Sequence, residues 1–391
     1  MLIGIIGKTN VGKSTFFSAA TLVDVEMANR PFTTIKPNRG VAQVRTHCAC
    51  KVLGIEHSGC IDGVRFIPVE LLDVAGLVPD AHLGRGLGNK FLDDLRQADV
   101  FVHVVDASGS TDAEGRFVGE GARDPLEDIK FLEIEIQEWL KSILSRDWVR
   151  VCKLAEQSGA ENINAIHEKL SGLGFSKRSL EVALEETGLA KKKLSTWNDQ
   201  DMTAFSIALR QAKPFVVAAN KADLPNSSAN IERMEKEVNA PVIPVIAEAE
   251  LALKRAARRG LISYTPGDSK FEITSKNIPP QLASALSRLS DLLEKFGGTG
   301  VQQTLEAAIF TAYQGIVVYP VEDMNAFSDK NGNVLPDAII MKSGSTPVDL
   351  ARMIHSDMAK GYLYSIDAKT KQRVASDYLL KDGDVIKIVF S

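Results

Sequence analysis

The chain opens on Met1-Leu2-Ile3-Gly4-Ile5-Ile6, an apolar run with no polar alternation and too short for a core helix, which predicts a strand buried on both faces. Comparable runs recur at Val64-Arg65-Phe66-Ile67-Pro68-Val69-Glu70-Leu71-Leu72, at Phe101 to Asp106, at Phe215 to Asn220 and at Val242 to Ile246. The shorter Val41-Ala42-Gln43-Val44 is predicted to pair with the second of them. Elsewhere the apolar spacing changes to three and four residues. Ile129, Leu132, Ile136, Leu140 and Ile143 form one helical stripe behind Asp124-Pro125-Leu126-Glu127, where a cap residue, proline at the first helical position and an early glutamate mark a helix start. Ser179 to Thr187, closed by Gly188, and Gln281 to Phe296, stopped by Gly297-Gly298, read as further helices. Trp139 and Trp148 are expected to be packing residues. Strands alternating with helices predict an α/β fold with a doubly wound, mostly parallel sheet. The stretch between Asp106 and Phe215 exceeds a simple crossover, so an inserted helical subdomain is expected there. The last part changes character: short strands at Gly315–Tyr319, Ala338–Met341, Leu363–Ile366 and Val385–Phe390, turn dipeptides Asn331-Gly332 and Asp382-Gly383, and one helix opened by Ser345-Thr346-Pro347 predict a small β-grasp module. The predicted division is 1–107, 108–212, 213–302 and 303–391.

Composition narrows the picture. At 391 residues, 45% hydrophobic and 25% charged, the chain is long enough for two or three domains and ordinary for a globular protein. A net charge of −4 excludes a wholesale nucleic-acid coat while leaving local basic patches, such as Lys191-Lys192-Lys193 and Lys254 to Arg259, open as contacts or as solvated helix ends. No apolar run approaches the roughly 18 residues of a membrane span, the start lacks a secretory pattern, and four cysteines without a disulfide framework fit a reducing compartment; a cytoplasmic location is expected. Three of those cysteines, Cys48, Cys50 and Cys60, fall between two predicted strands with His47 and His57. A zinc site needs four ligands at tetrahedral reach and their spacing is not one of the strong zinc patterns, so an ordinary or redox-sensitive hairpin is the expectation, with a metal site as the alternative.

The candidate chemistry begins directly after the first strand. Gly7-Lys8-Thr9-Asn10-Val11-Gly12-Lys13-Ser14-Thr15 has the spacing of a phosphate-binding loop. Its glycines let successive amides converge on phosphate oxygens, and the helix starting near Lys13 adds free N–H groups and a positive dipole end. Lys13 is expected on the β/γ-phosphates and Ser14 on Mg²⁺. Lys8 to Thr15 are thus candidate ligands of a nucleoside triphosphate. Thr34, with Thr33 as the alternate, sits in a turn-rich segment suited to closing over Mg²⁺ and the γ-phosphate. Asp73-Val74-Ala75-Gly76 ends a strand: Asp73 is expected near Mg²⁺ and Gly76 on the γ-phosphate. Lys13, Thr34 and Gly76 are the candidate catalytic groups, and Ser14, Thr34 and Asp73 the candidate metal ligands. Leu77 cannot orient a water, and the flexible Gly84-Arg85-Gly86-Leu87-Gly88 suits a second switch, with His82 more plausibly solvated than recruited. Asn220-Lys221-Ala222-Asp223 ends another strand. A carboxylate at Asp223 accepts from the guanine N1–H and exocyclic amine together, a donor pair adenine lacks; Lys221 covers the base, Asn220 ties loops, and the Ala247 N–H meets the base carbonyl.

These motifs, with the run Pro31-Phe32-Thr33-Thr34 and Gly84 to Phe91, resemble the translation-factor-related GTPases of the Obg group, close to their YchF branch. The resemblance implies a P-loop GTPase fold with a helical insert, GTP and GDP as ligands, Mg²⁺, and a potassium ion held beside the phosphates by Asn10. YchF proteins tend to carry glutamate where this chain has Asp223 and to favour ATP, so the chain looks like a guanine-specific relative. The family's apolar residue at Leu77 implies hydrolysis through backbone, cation or partner groups. Ile246 departs from the serine usual in the family's guanine loop. Lys342 to Pro347 and Lys381 to Val385 are similar to a TGS domain, implying docking of RNA or ribosome through that module and the insert. An ATP-preferring ATPase, or a nucleotide-regulated RNA-binding module with negligible hydrolysis, are the competing expectations.

Overall fold

A computed structural model describes residues 1–21, 39–74, 96–158, 161–276 and 278–391. The predicted buried runs form one sheet in the order β2-β3-β1-β4-β5-β6, with β1 (Leu2–Ile6), β2 (Arg39–His47), β3 (Val64–Asp73), β4 (Val100–Asp106), β5 (Phe215–Asn220) and β6 (Val242–Val245). The pairs β1–β3, β1–β4, β4–β5 and β5–β6 are parallel. Every residue of β1 and β4 is buried, as an all-apolar run covered on both faces requires. The register sets Ile5 beside Asp73 and Asp106 beside Asn220, which in turn faces Val245. The carboxyl ends of five neighbouring strands, β3, β1, β4, β5 and β6, therefore finish along one edge, where a doubly wound sheet holds its ligand.

Helices α1 (Lys13–Thr21), α2 (Cys50–Leu53), α3 (Pro125–Ser145), α4 (Trp148–Ser158), α5 (Asn162–Leu170), α6 (Lys177–Glu186), α7 (Asp199–Gln211), α8 (Ser227–Glu237), α9 (Ala247–Arg258) and α10 (Pro280–Phe296) follow in chain order. The α3 start is as predicted: Asp124 accepts from the Leu126 N–H at 3.1 Å with Pro125 at the first position. Of its stripe, Ile129, Leu132 and Leu140 are buried; Ile129 joins a neighbouring core, while Ile136 and Ile143 pack against the core that holds Leu132 and Leu140. That core is shared: Leu132, Leu140, Ile166, Leu180 and Phe205 of the insert join Leu2, Ile6, Leu72 and Phe101 of the sheet. Trp148 stacks on Trp197 at 5.3 Å, and Trp197 meets Phe205 edge-on; Trp139 is buried in this cluster. Both predicted tryptophans pack rather than present a face.

Beyond the hairpin of β7 (Ile262–Ser263) and β8 (Glu272–Ile273), the C-terminal module orders its strands β10-β9-β13-β11-β12. These are β9 (Gly315–Pro320), β10 (Ile339–Lys342), β11 (Tyr362–Asp367), β12 (Gln372–Val374) and β13 (Val385–Phe390). Neighbours are antiparallel except β9 and β13. Helix α11 (Pro347–Ile354), opened by a reciprocal cap between Thr346 and Asp349, lays Leu350 and Ala351 against Val318, Met341 and Ile386. This is the predicted β-grasp arrangement. The three-residue β12 and α12 (Ser356–Lys360) were not predicted, being too short for any periodicity. Contacts group Leu2–Val41 with Glu70–Thr304, and the arm Ala42–Val69 with Leu305–Ser391, whereas the sequence places that arm in the first segment. Among the described residues no helix is long and apolar enough to cross a membrane.

Phe205 is wholly buried. Phe205→Ala is expected to cost about 3–5 kcal/mol, measured by urea denaturation of the full chain.

Candidate nucleotide-binding site

The phosphate loop owes its path to two glycines. At Gly7, φ is 150° and a Cβ would stand 2.5 Å from the Val104 carbonyl oxygen; at Gly12, φ is 90° and a Cβ would stand 2.1 Å from Asn220 Nδ2. Neither position admits a side chain. The first helical bond, Phe16 N–H to the Gly12 carbonyl at 2.9 Å, opens α1 directly after the loop, leaving the preceding amides unpaired within the helix. Ser14 is exposed there, Thr15 half-buried and Val11 buried. Lys13 Nζ pairs with Asp73 Oδ1 across to the end of β3, which brings the expected phosphate cation and the expected metal carboxylate into contact. A hydroxyl and a carboxylate are hard oxygen donors of the kind Mg²⁺ takes, so Ser14 and Asp73 fit that ion.

Three loop residues are held by the segment after β4. Thr9 Oγ1 donates to the Glu114 carbonyl at 2.8 Å and Asn10 Nδ2 to the Gly115 carbonyl at 2.7 Å. Lys8, grouped above with the phosphate ligands, turns inward: its ammonium donates to the Thr111 carbonyl at 2.8 Å and pairs with Asp128 of α3 at 2.7 Å, both side chains nearly dry. The ammonium thereby compensates a buried carboxylate, which leaves a contact of Lys8 to a phosphate to its backbone N–H.

Asn220 spans the site. Its Nδ2 donates to the Val11 carbonyl at 2.9 Å and its Oδ1 accepts from the Ala247 N–H at 3.1 Å. The tying role expected of it is the one observed. The Ala247 amide, expected on the base carbonyl, lies at the same sheet edge and donates to Asn220. Lys221, at φ 60°, reaches Asp106 Oδ2 at 2.9 Å, and Asp223 is exposed. Asp106 was missed by the sequence reading. Buried at the end of β4, it accepts from the Ser108, Ser110 and Thr111 hydroxyls at 2.6, 2.7 and 3.0 Å. The signal was present in Asp106-Ala-Ser-Gly-Ser-Thr, a carboxylate followed by hydroxyls at the spacings of an Asx turn. Burial alone raises its pKa, but the bonds from Lys221, Ser108 and Ser110 outweigh that and hold it below the ordinary 3.8.

Thr33, Thr34, Gly76, Leu77, His82 and Gly84 to Gly88 lie outside the described residues. Of the basic runs, Lys254 is internal, donating to the Ala19 carbonyl at 2.6 Å beside the wholly buried Glu250. Lys192 pairs with Asp201 at 2.6 Å and Lys193 with Glu156 at 3.1 Å; these lysines brace the insert. The structure also gathers Cys48, Cys50, His57 and Cys60, which their spacing did not predict.

Comparison with known proteins agrees with this geometry. Residues 2–147 match the 50S ribosome-binding GTPase family, 218–323 the Obg-like GTPase YGR210-like, G4 motif-containing domain, and 331–390 the TGS domain. An uncharacterized GTP-binding protein of Methanocaldococcus jannaschii is 49% identical over 395 residues, spanning 99% of this chain and 98% of that protein. The crystal structure of a GTP binding protein from Pyrococcus horikoshii OT3 superposes with a TM-score of 0.80 at 39% identity, covering 100% of both chains. The ribosome-binding ATPase YchF of Bacillus subtilis is 27% identical over 424 residues, covering 99% and 98%. Fold and motifs define a P-loop GTPase carrying a TGS module. The chain belongs to the Obg-like, YchF-type family of GTP-binding proteins.

The depressed Asp106 titration means the native state binds fewer protons than the unfolded one around 3.8, so its stabilisation is complete above that pH and is lost as pH falls further. Asp106→Asn is expected to cost about 1.5–3 kcal/mol at neutral pH. In urea titrations, the gap from wild type should close as the buffer is taken below the ordinary carboxylate value.

Proposed function

We propose that the protein hydrolyses GTP to GDP and phosphate as a molecular switch, with the C-terminal module and the helical insert engaging ribosome or RNA. The carrying observation is Asn220, bonded at once to Val11 and Ala247: it holds the specificity loop beside the phosphate loop and leaves the exposed Asp223 carboxylate at the same sheet edge. In this reading the free amides of Asn10 to Thr15 cradle the phosphates, and Lys13 leaves Asp73 for the β/γ-oxygens. Ser14, Thr34 and Asp73 would hold Mg²⁺, which would supply neutralising charge to the phosphate oxygens. The Gly76 N–H is assigned, from its place in the motif after β3, as a donor to the γ-phosphate. Asn10 keeps its Oδ1 for a potassium ion while its Nδ2 stays on Gly115. Lys221, fixed by Asp106, presents its stem to the base, and Asp223 accepts from the two guanine donors.

Support for guanine is the aspartate itself together with the GTP-binding names of the relatives from Methanocaldococcus jannaschii and Pyrococcus horikoshii. The ATPase name of the Bacillus subtilis relative favours a second reading, an ATP-preferring enzyme. Support for ribosome engagement is that relative's ribosome-binding name and the TGS match. The paired Lys192 and Lys193 point the docking role towards the C-terminal module, where Arg373 stacks 3.6 Å over Tyr364.

Competition binding should favour GTP over ATP; Asp223→Ala should lower GTP affinity by about 10–100-fold with ATP unchanged, and Lys13→Ala should weaken both triphosphates alike. Equal wild-type binding of GTP and ATP removes the guanine reading. Co-sedimentation with ribosomes should be stronger with a non-hydrolysable GTP analogue than with GDP, and turnover should rise with potassium; identical sedimentation and potassium-independent turnover argue against the switch.

A further inference from the structure

The arm joining β2 to β3 holds a cluster with no part in the nucleotide site. Cys48 and Cys50 are buried as the chain leaves β2 and enters α2; His57 and Cys60 return on the loop before β3. The four ligand atoms, three sulfurs and one ring nitrogen, all lie within 4.8 Å of one another. Cys50 Sγ stands 3.5 Å from Cys60 Sγ, and Cys48 Sγ 3.2 Å from His57 Nε2. A disulfide needs about 2.05 Å, and all four cysteines of the chain are free. A tetrahedral ion with metal–sulfur bonds of about 2.3 Å and metal–nitrogen bonds of about 2.0–2.1 Å keeps its ligand atoms about 3.5–3.8 Å apart; the sulfur pair stands at that spacing, the sulfur–nitrogen pair a few tenths of an ångström inside it, and all four atoms come into range with adjustments of about 1 Å or less. We propose that Cys48, Cys50, His57 and Cys60 form a closed Cys₃His site for a structural zinc ion.

Chemistry and topology both support that ion. Three thiolates and an imidazole select a thiophilic, tetrahedral divalent metal, and four protein ligands leave no open position for a substrate, which marks a structural rather than catalytic centre. The chain is shaped for the return: α2 ends at Gly54 in the left-handed region, turning the backbone so that His57 and Cys60 come back onto Cys48 and Cys50. His57 Nδ1 accepts from the Gly59 N–H at 3.1 Å, so the neutral ring carries its proton on Nε2, towards Cys48. Metal binding at Nε2 moves that proton to Nδ1 and opens the Gly59 contact, while each thiol loses one proton, so three protons leave per ion bound. The ligand segment is also the one that meets the C-terminal module. The Ala49 N–H donates to Tyr319 Oη at 3.3 Å and Tyr319 Oη donates to the His47 carbonyl at 3.2 Å. Arg65, at the start of β3, donates to the Leu335 and Pro336 carbonyls at 2.7 and 2.8 Å. Zinc would fix the shape of the surface on which β9 packs.

The test is metal analysis of the untagged full chain, purified under reducing conditions without chelator. About one zinc per chain is expected, lost in Cys48→Ser and Cys60→Ser and retained in Cys152→Ser, whose thiol lies outside the cluster. Should either serine variant fail to fold, wild type alone decides. Cobalt replacement should give the intense visible bands of a tetrahedral thiolate site, and a chelator should expose Cys48, Cys50 and Cys60 to alkylation, mapped by peptide mass. Less than about a tenth of an equivalent of metal after anaerobic incubation with zinc would overturn the proposal. So would a Cys50–Cys60 disulfide in the reduced protein, or zinc undiminished in both serine variants.

Discussion

A single buried amide holds the nucleotide edge together. Asn220 donates to the Val11 carbonyl in the phosphate loop and accepts from the Ala247 N–H after β6, joining three segments that are far apart in the chain. Each bond contributes only about 0.5–1.5 kcal/mol net, but each group left unpaired in that dry position costs about 1–3 kcal/mol. The same side chain leaves no room for a Cβ at Gly12, so the phosphate loop's glycine and the specificity loop's asparagine are one constraint seen from two sides. The parallel register makes the meeting possible, because it ends β3, β1, β4, β5 and β6 in line.

Around that amide, charge is paired before it is buried. Lys8 leaves the phosphate loop to meet Asp128 on α3, and Arg123 approaches the same carboxylate at 3.2 Å. Lys221 leaves the specificity loop to meet Asp106. Both lysines stand in nucleotide motifs, yet their ammonium groups serve partners within the protein, because an uncompensated buried carboxylate costs several kcal/mol. The result couples the phosphate loop to the helical insert through the first turn of α3, and to the segment after β4 through Thr9 and Asn10.

The C-terminal module has its own organising residue. Tyr319, wholly buried on β9, bonds the arm that links β2 and β3, and Arg65 at the start of β3 spans two carbonyls in the long connection between β9 and β10. A side chain of that size buries enough apolar area to contribute substantially to packing, while its hydroxyl satisfies backbone groups that would otherwise be orphaned. The arm thus belongs to the module by contact, although it belongs to the nucleotide sheet by sequence order.

Local signals were enough for the sheet, the capped start of α3, the phosphate loop, the β-grasp strands and the Asn220 motif, since period, capping and glycine spacing are written in neighbouring residues. Tertiary structure alone decided the rest. It turned the Lys8 side chain and Lys254 inward, committed the Ala247 amide to Asn220, revealed Asp106 as the partner of Lys221, and drew Cys48, Cys50, His57 and Cys60 into one cluster. Each of these depends on which distant group fills a buried position, and burial, unlike periodicity, is a property of the folded whole.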